Sequence, residues 1–234
     1  MRVDSEPAFV LHARPYRETS QLVDLFSRHH GRFRAVARGF RQTKTSTKTL
    51  SLFTPLLIDW TGKSDLKTLV GAEQTGVPLM LTGDRLFSGF YLNELLLRLL
   101  AEHDPHEWIF DCYLEIMNKL ADGDQVEPAL RQFETCLLEG IGYALVLDTD
   151  AESGEPVAPD LWYWFDPTVG LVARPSVRSE QRAPNWFQGE ELIAIDHGDD
   201  SNPSIGQSKK RLMRLALLPH LGGKPLRSRE LFRH

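Results

Sequence analysis

Cysteine is scarce in this 234-residue chain: Cys112 and Cys136 are the only two, far apart and in no CxxC pair. A disulfide framework and a four-cysteine zinc site are thereby excluded. Long apolar runs are missing too, none approaching the roughly 20 residues that cross a bilayer. The N-terminus carries Asp4 and Glu6 where a secretory signal wants basic residues. Gly222-Gly223-Lys224-Pro225 lacks the GxxxxGK[ST] spacing of a phosphate-binding loop, and no GxSxG or HExxH occurs. The expectation is a soluble, cytoplasmic, non-enzymatic protein with no metal and no cofactor. At 41% apolar residues the chain can bury a core, which excludes a disordered polymer.

Charge of one sign is absent locally, and this says more than the net value of -5. Residues 1–78 hold 12 Lys and Arg against 7 Asp and Glu; residues 79–204 hold 7 against 24; residues 205–234 hold 8 against 1. Between Arg28 and Lys48 there are seven cations and no acid. Such asymmetry suggests basic surfaces for a polyanion around an acidic middle.

Short runs rich in Val, Leu, Ile, Phe and Thr predict strands at Ala8–Leu11, Gln21–Ser27, Arg32–Arg38, Thr54–Trp60 and Asp65–Glu73. Five such strands within about 75 residues suit a small closed barrel of the OB type. From Thr82 the period becomes helical, with Asp84 as N-cap and an apolar face through Leu100. Further helices are predicted at Trp108–Leu120, Pro128–Glu139, Gly189–Ile195 and Gln207–Leu218; the helix from Thr82 and the first two of these are expected to share a bundle core. The fold class is α+β: an OB-fold domain over 1–78, then a mainly helical domain over 79–234 with an irregular insert around 148–188.

In a strand over Arg32–Arg38, Phe33, Ala35 and Ala37 face inward while Arg32, Arg34 and Arg38 share the outer face. With Arg41, Lys44 and Lys48 in the following loop, they form a candidate phosphate-binding set, weighed against a merely solvated strand face. Lys209, Lys210, Arg211, Arg214, Lys224, Arg227 and Arg229 form a second basic set. Tyr16, Phe33, Phe40, Phe53 and Trp60 could stack on bases, Phe40 being the best exposed candidate and Phe33 and Trp60 core. The run Trp162–Phe165 reads as burial against the helices. His29-His30 reads as a turn pair, and His103-Asp104-Pro105-His106 with Glu107 as an interhelix loop rather than a metal seat. Two plainer classes stay open: an RNA-binding or translation-associated OB protein, and a nuclease.

Several stretches, in order, resemble the bacterial recombination mediator family RecO, looking closest to its gammaproteobacterial members. They are AFVLHARPYRETSQLVDLFSRHHGRFRAVARGFR, SLFTPLL, LFSGFYLNELLLRLL, ALRQFETCLLEGIGY and LGGKPLRSRELFR. The resemblance implies RecF-pathway DNA repair and recombination: binding single- and double-stranded DNA, annealing strands, and helping RecA load onto strands coated with single-stranded DNA-binding protein (SSB). It also implies partners, RecR and the acidic SSB C-terminal tail, and work at the nucleoid. Some relatives carry a four-cysteine zinc site, for which the corresponding Asp148–Pro175 has no cysteine. A tail ending in an apolar residue and a carboxylate needs a greasy pocket with a cation. Arg131 among Leu130, Phe133 and Leu137 is the candidate, weighed against pairing of Arg131 with Glu127 or Glu134 on its own helix.

Overall fold

The computed structural model describes residues 1–40, 50–174, 183–199 and 202–232. Strands β1 (Arg2–Tyr16), β2 (Ser20–Ser27), β3 (Gly31–Arg38), β4 (Leu56–Thr61) and β5 (Leu66–Gln74) close into a barrel in the order β1-β2-β3-β5-β4. Only β3 and β5 run parallel. This is the OB-type barrel expected from the strand spacing. Strict alternation explains β3: Phe33, Ala35 and Ala37 are fully buried beside Val23, Leu25 and Ile58, while Arg34 and Arg38 are exposed.

Strand β1 is far longer than the predicted Ala8–Leu11 and changes register between Val3 and Glu6 and between Val10 and His12. Such bulges let one strand bend around a small barrel, but each leaves a residue out of the ladder. Leu11 is that residue at the second break. Its carbonyl accepts from Asn93 Nδ2 at 2.9 Å, and the Tyr113 hydroxyl donates to Asn93 Oδ1 at 2.7 Å. A buried carbonyl without a partner would cost about 1–3 kcal/mol, so this chain of bonds ties two helices to the strand. Burial pushes the Tyr113 phenol upward, keeping it a hydroxyl donor.

Those helices are α1 (Asp84–Leu99) and α2 (Glu107–Asp122). Asp84 is not the N-cap of α1: that position is Gly83, at φ 54°, and Asp84 sits in the first turn, where a carboxylate favours the helix dipole. Gly31, at φ +66°, opens β3 where a Cβ would run into the Asp104 carbonyl. Only glycine allows the β2–β3 turn to approach the α1–α2 connection this closely, and His103 N donates to Arg32 O at 2.8 Å across it.

The chain forms two compact units, 1–126 with 226–234, and 127–225. The boundary expected at 78/79 falls in the connection between β5 and α1, yet α1 and α2 belong to the barrel's unit. The last segment returns to it as a 3-10 turn, Arg227–Phe232. Glu94 on α1 accepts from the backbone N–H groups of Arg227 and Ser228 and from Ser228 Oγ at 2.7 Å. Burial raises the Glu94 carboxyl, but the Ser228 and Arg227 bonds and the Arg98 cation outweigh it and leave it below its ordinary value.

The second unit holds α3 (Val126–Gly140, from Glu127 onward), β6 (Trp162–Asp166), β7 (Gly170–Ala173), β8 (Trp186–Gln188), α4 (Gly189–Asp196) and α5 (Pro203–Leu217). The segment expected to be irregular therefore contains an antiparallel sheet, ordered β7-β6-β8. Its strands are only three to five residues long, so the Gly, Pro and acids between them hide the pattern. Within β6, Tyr163 and Phe165 are buried while Trp162 and Trp164 are only half-buried. Asp150 anchors the preceding loop, accepting from the N–H groups of Glu152, Ser153 and Ala173. Burial raises its carboxyl, and the bonds from Ser153, Ala173 and Glu152 outweigh that and lower it. Helix α5 begins four residues before the predicted Gln207, because Asn202 accepts from Ser204 N and Pro203 fills the first position.

Candidate nucleic-acid interface

Residues directly opposite in neighbouring strands share a face. On the outer face of β1, β2 and β3 this gives rows Phe9–Phe26–Arg32, His12–Asp24–Arg34, Arg14–Leu22–Val36 and Tyr16–Ser20–Arg38. The first row lies under α2, where the Phe110 ring is 5.7 Å from Phe9 and 5.4 Å from Phe26. The other rows end at the β1–β2 turn, with His12, Arg14, Arg34 and Arg38 exposed on them and Leu22 and Ser20 buried.

The acid-free cation run divides once folded, because acids from the helices come to meet it. Arg28 makes a forked pair with Asp111, at 3.0 and 2.7 Å, and that hydrogen bond raises its pKa. Arg32 donates to the Leu100 carbonyl at 3.2 Å and lies 3.4 Å from Glu102, its side chain 13% exposed. Arg34 lies 3.2 Å from the same Glu102 and is half exposed. Arg38 is exposed, and no ion pair of it is formed among the described residues. Arg41, Lys44 and Lys48 lie outside the described residues. Arg14, exposed on the same face, escaped the sequence reading; its placement opposite Leu22 was the signal, and only the strand register supplies that.

Among the aromatics, Phe33 and Trp60 are core, as is Phe53. Phe40 is half-buried and packs on the barrel interior, so it is not the exposed platform expected at that strand end. Tyr16 is half-exposed on the open face, with the Arg17 guanidinium 5.2 Å from its ring centroid.

The C-terminal cations are divided between the two units. Arg227 and Arg229 lie in the barrel's unit, Lys209 to Lys224 in the other. Lys210 pairs with Glu127 at 2.7 Å. Arg211 donates to the Trp186 carbonyl at 3.0 Å and covers the Phe187 ring at 4.3 Å. Arg214, Lys224 and Arg227 are exposed, and Lys209 and Arg229 are half-buried. On α3, Leu130, Phe133 and Leu137 are buried, and Arg131 pairs with Glu134 at 2.9 Å and with the more exposed Glu127 at 3.9 Å. The intrahelical pairing weighed from the sequence is thus the arrangement present.

Among the described residues, no group of His, Cys, Asp and Glu is placed to hold a metal ion, and no helix is long and apolar enough to cross a membrane. His106 faces Asp104 at 3.2 Å, and His103 stacks on Phe33.

Comparison with known proteins matches residues 1–77 to the family model "Recombination protein O N terminal" and residues 80–230 to "Recombination protein O C terminal". Among curated proteins, the DNA repair protein RecO of Cellvibrio japonicus is 46% identical over 99% of this chain and 98% of its own length. That of Pseudomonas aeruginosa is 47% identical over 97% and 94%. That of Coxiella burnetii is 45% identical over 98% of each. With a closed five-stranded barrel leading into helices and both family models covering nearly the whole length, the chain belongs to the RecO family of DNA repair proteins.

Proposed function

We propose that this protein is a non-enzymatic recombination mediator of the RecF pathway. It binds single- and double-stranded DNA, anneals complementary strands and, with RecR, helps load RecA onto SSB-coated DNA at the nucleoid. The domain of residues 1–78 carries the principal DNA surface, and the domain of residues 79–234 carries partner contacts. The observation that carries this reading is the outer half of the barrel, where Arg14 and Arg38 stand exposed; Arg41, Lys44 and Lys48 follow Arg38 in the sequence. Such a face grips phosphates without reading bases. Arg34 joins it once a phosphate competes for the guanidinium shared with Glu102. Of the second basic set, Lys210, Arg214, Lys224 and Arg227 are exposed, Lys210 in its pair with Glu127. The SSB tail docks at α3, its carboxylate displacing Glu127, the weaker and more exposed partner of Arg131.

The test is annealing of two complementary strands precoated with SSB, beside a nuclease control and with RecR added or omitted. Accelerated annealing with intact strands supports the proposal. Strand cleavage, or no acceleration by a protein that binds DNA, overturns it.

A further inference from the structure

The tip of the β1–β2 hairpin carries Tyr16 with the Arg17 guanidinium beside its ring. Resting on the DNA-binding reading above, we infer that Tyr16 is a base-stacking residue, so that this end of the barrel prefers single strands over duplex. Tyr16 lies opposite Ser20, which lies opposite Arg38, so ring, small residue and cation form one row across three strands. Two strand spacings, about 10 Å, separate the backbones of Tyr16 and Arg38. Ser20 is buried between them, leaving a shallow floor rather than a wall.

Arg17 supplies the second element. Its guanidinium sits 5.2 Å from the Tyr16 ring centroid, on a residue at φ 55°. A non-glycine residue rarely adopts that left-handed conformation. Here it turns the chain so that the cation lies against the ring instead of projecting away. The contact limits the ring's motion. Arg14, one row further along the same face, extends the cationic track past Leu22 and the half-buried Val36. The acids of these strands do not cancel it. Asp24 is largely covered and faces His12 at 3.6 Å, and Asp4 and Glu6 stand toward the other end of β1.

An unpaired base offers a π-face to Tyr16, whereas a duplex keeps its bases stacked and presents only phosphates and groove edges. Strand form therefore separates the ring's role from that of the arginines.

The experiment measures binding of a labelled oligo(dT) and of a mixed-sequence duplex of equal length to the full chain, its Tyr16→Ala and Tyr16→Phe variants, and an Arg38→Ala control. Tyr16→Ala should bind oligo(dT) about tenfold more weakly, within the range that base stacking supplies. Its duplex affinity and salt slope should match the parent's, and Tyr16→Phe should retain parental binding. Arg38→Ala should weaken both forms and flatten the salt slope. Melting curves establish that each variant is folded; should Tyr16→Ala not fold, Tyr16→Thr, a better strand former, takes its place. Unchanged oligo(dT) affinity in the alanine variant, equal losses on both DNA forms, or a loss shared by Tyr16→Phe would overturn the inference. If Arg38→Ala still behaves as expected in those cases, the DNA-binding reading survives. A parent that binds neither form overturns both.

Discussion

Arg32 and Arg38 are six residues apart on one strand face, yet they should fail in different ways when cut to alanine. Arg32 is nearly covered, gives its Nε–H to the Leu100 carbonyl and shares Glu102 with Arg34. Hydrogen bonds involving a charged group are worth about 1.5–3 kcal/mol, so Arg32→Ala should destabilise the barrel's unit by about 2 kcal/mol. Arg34 remains to pair with Glu102, which keeps the loss from being larger. Arg38 is exposed with no described ion pair, and its truncation should change stability by less than about 0.5 kcal/mol. Binding should show the reverse. Each phosphate contact contributes about 0.7 to the slope of log affinity against log salt for single strands, so Arg38→Ala should flatten the slope by that amount. Between 50 and 200 mM salt, the parent should then lose about 2.6-fold more affinity than the variant, which is a fourfold change raised to that power. Arg32→Ala should keep the parental slope. Fluorescence anisotropy with a labelled oligonucleotide over that salt range, beside urea unfolding, reads both quantities. A stable Arg32→Ala protein with a flattened slope would refute the division of the strand into a structural and a phosphate-binding arginine.

Two further outcomes follow from the buried polar contacts. Asn93→Ala removes the donor to the Leu11 carbonyl and the acceptor of the Tyr113 hydroxyl, so urea unfolding should report a loss of about 3 kcal/mol, against about 1 for Tyr113→Phe. Glu94 is held below its ordinary carboxyl pKa of 4.5. Its contribution is therefore complete above that value and disappears as pH falls through the lower folded value. Melting temperatures of the parent and Glu94→Gln should differ at pH 7 and converge on acidification; a gap that widens toward low pH contradicts the assignment.

Local pattern suffices for much of this protein. The alternation in Gly31–Arg38 assigns each side chain to a face, because a strand's period is a backbone property that needs no partner. Helical periodicity likewise locates α1, α2 and α3, and turn chemistry punctuates the barrel strands. The family resemblance rides on the same linear order of motifs. What the linear order cannot contain is which groups meet from far apart in the chain. Asp111 reaches Arg28 across 83 residues, and Glu102 reaches Arg32 across 70, so an acid-free run becomes partly neutralised once folded. Phe40 packs inward rather than standing exposed because barrel closure determines which strand ends roll inward. The sheet of β6, β7 and β8 was hidden because strands of three to five residues carry too little pattern without their neighbours. Charge and periodicity are sums over neighbours in sequence, whereas pairing and exposure are sums over neighbours in space.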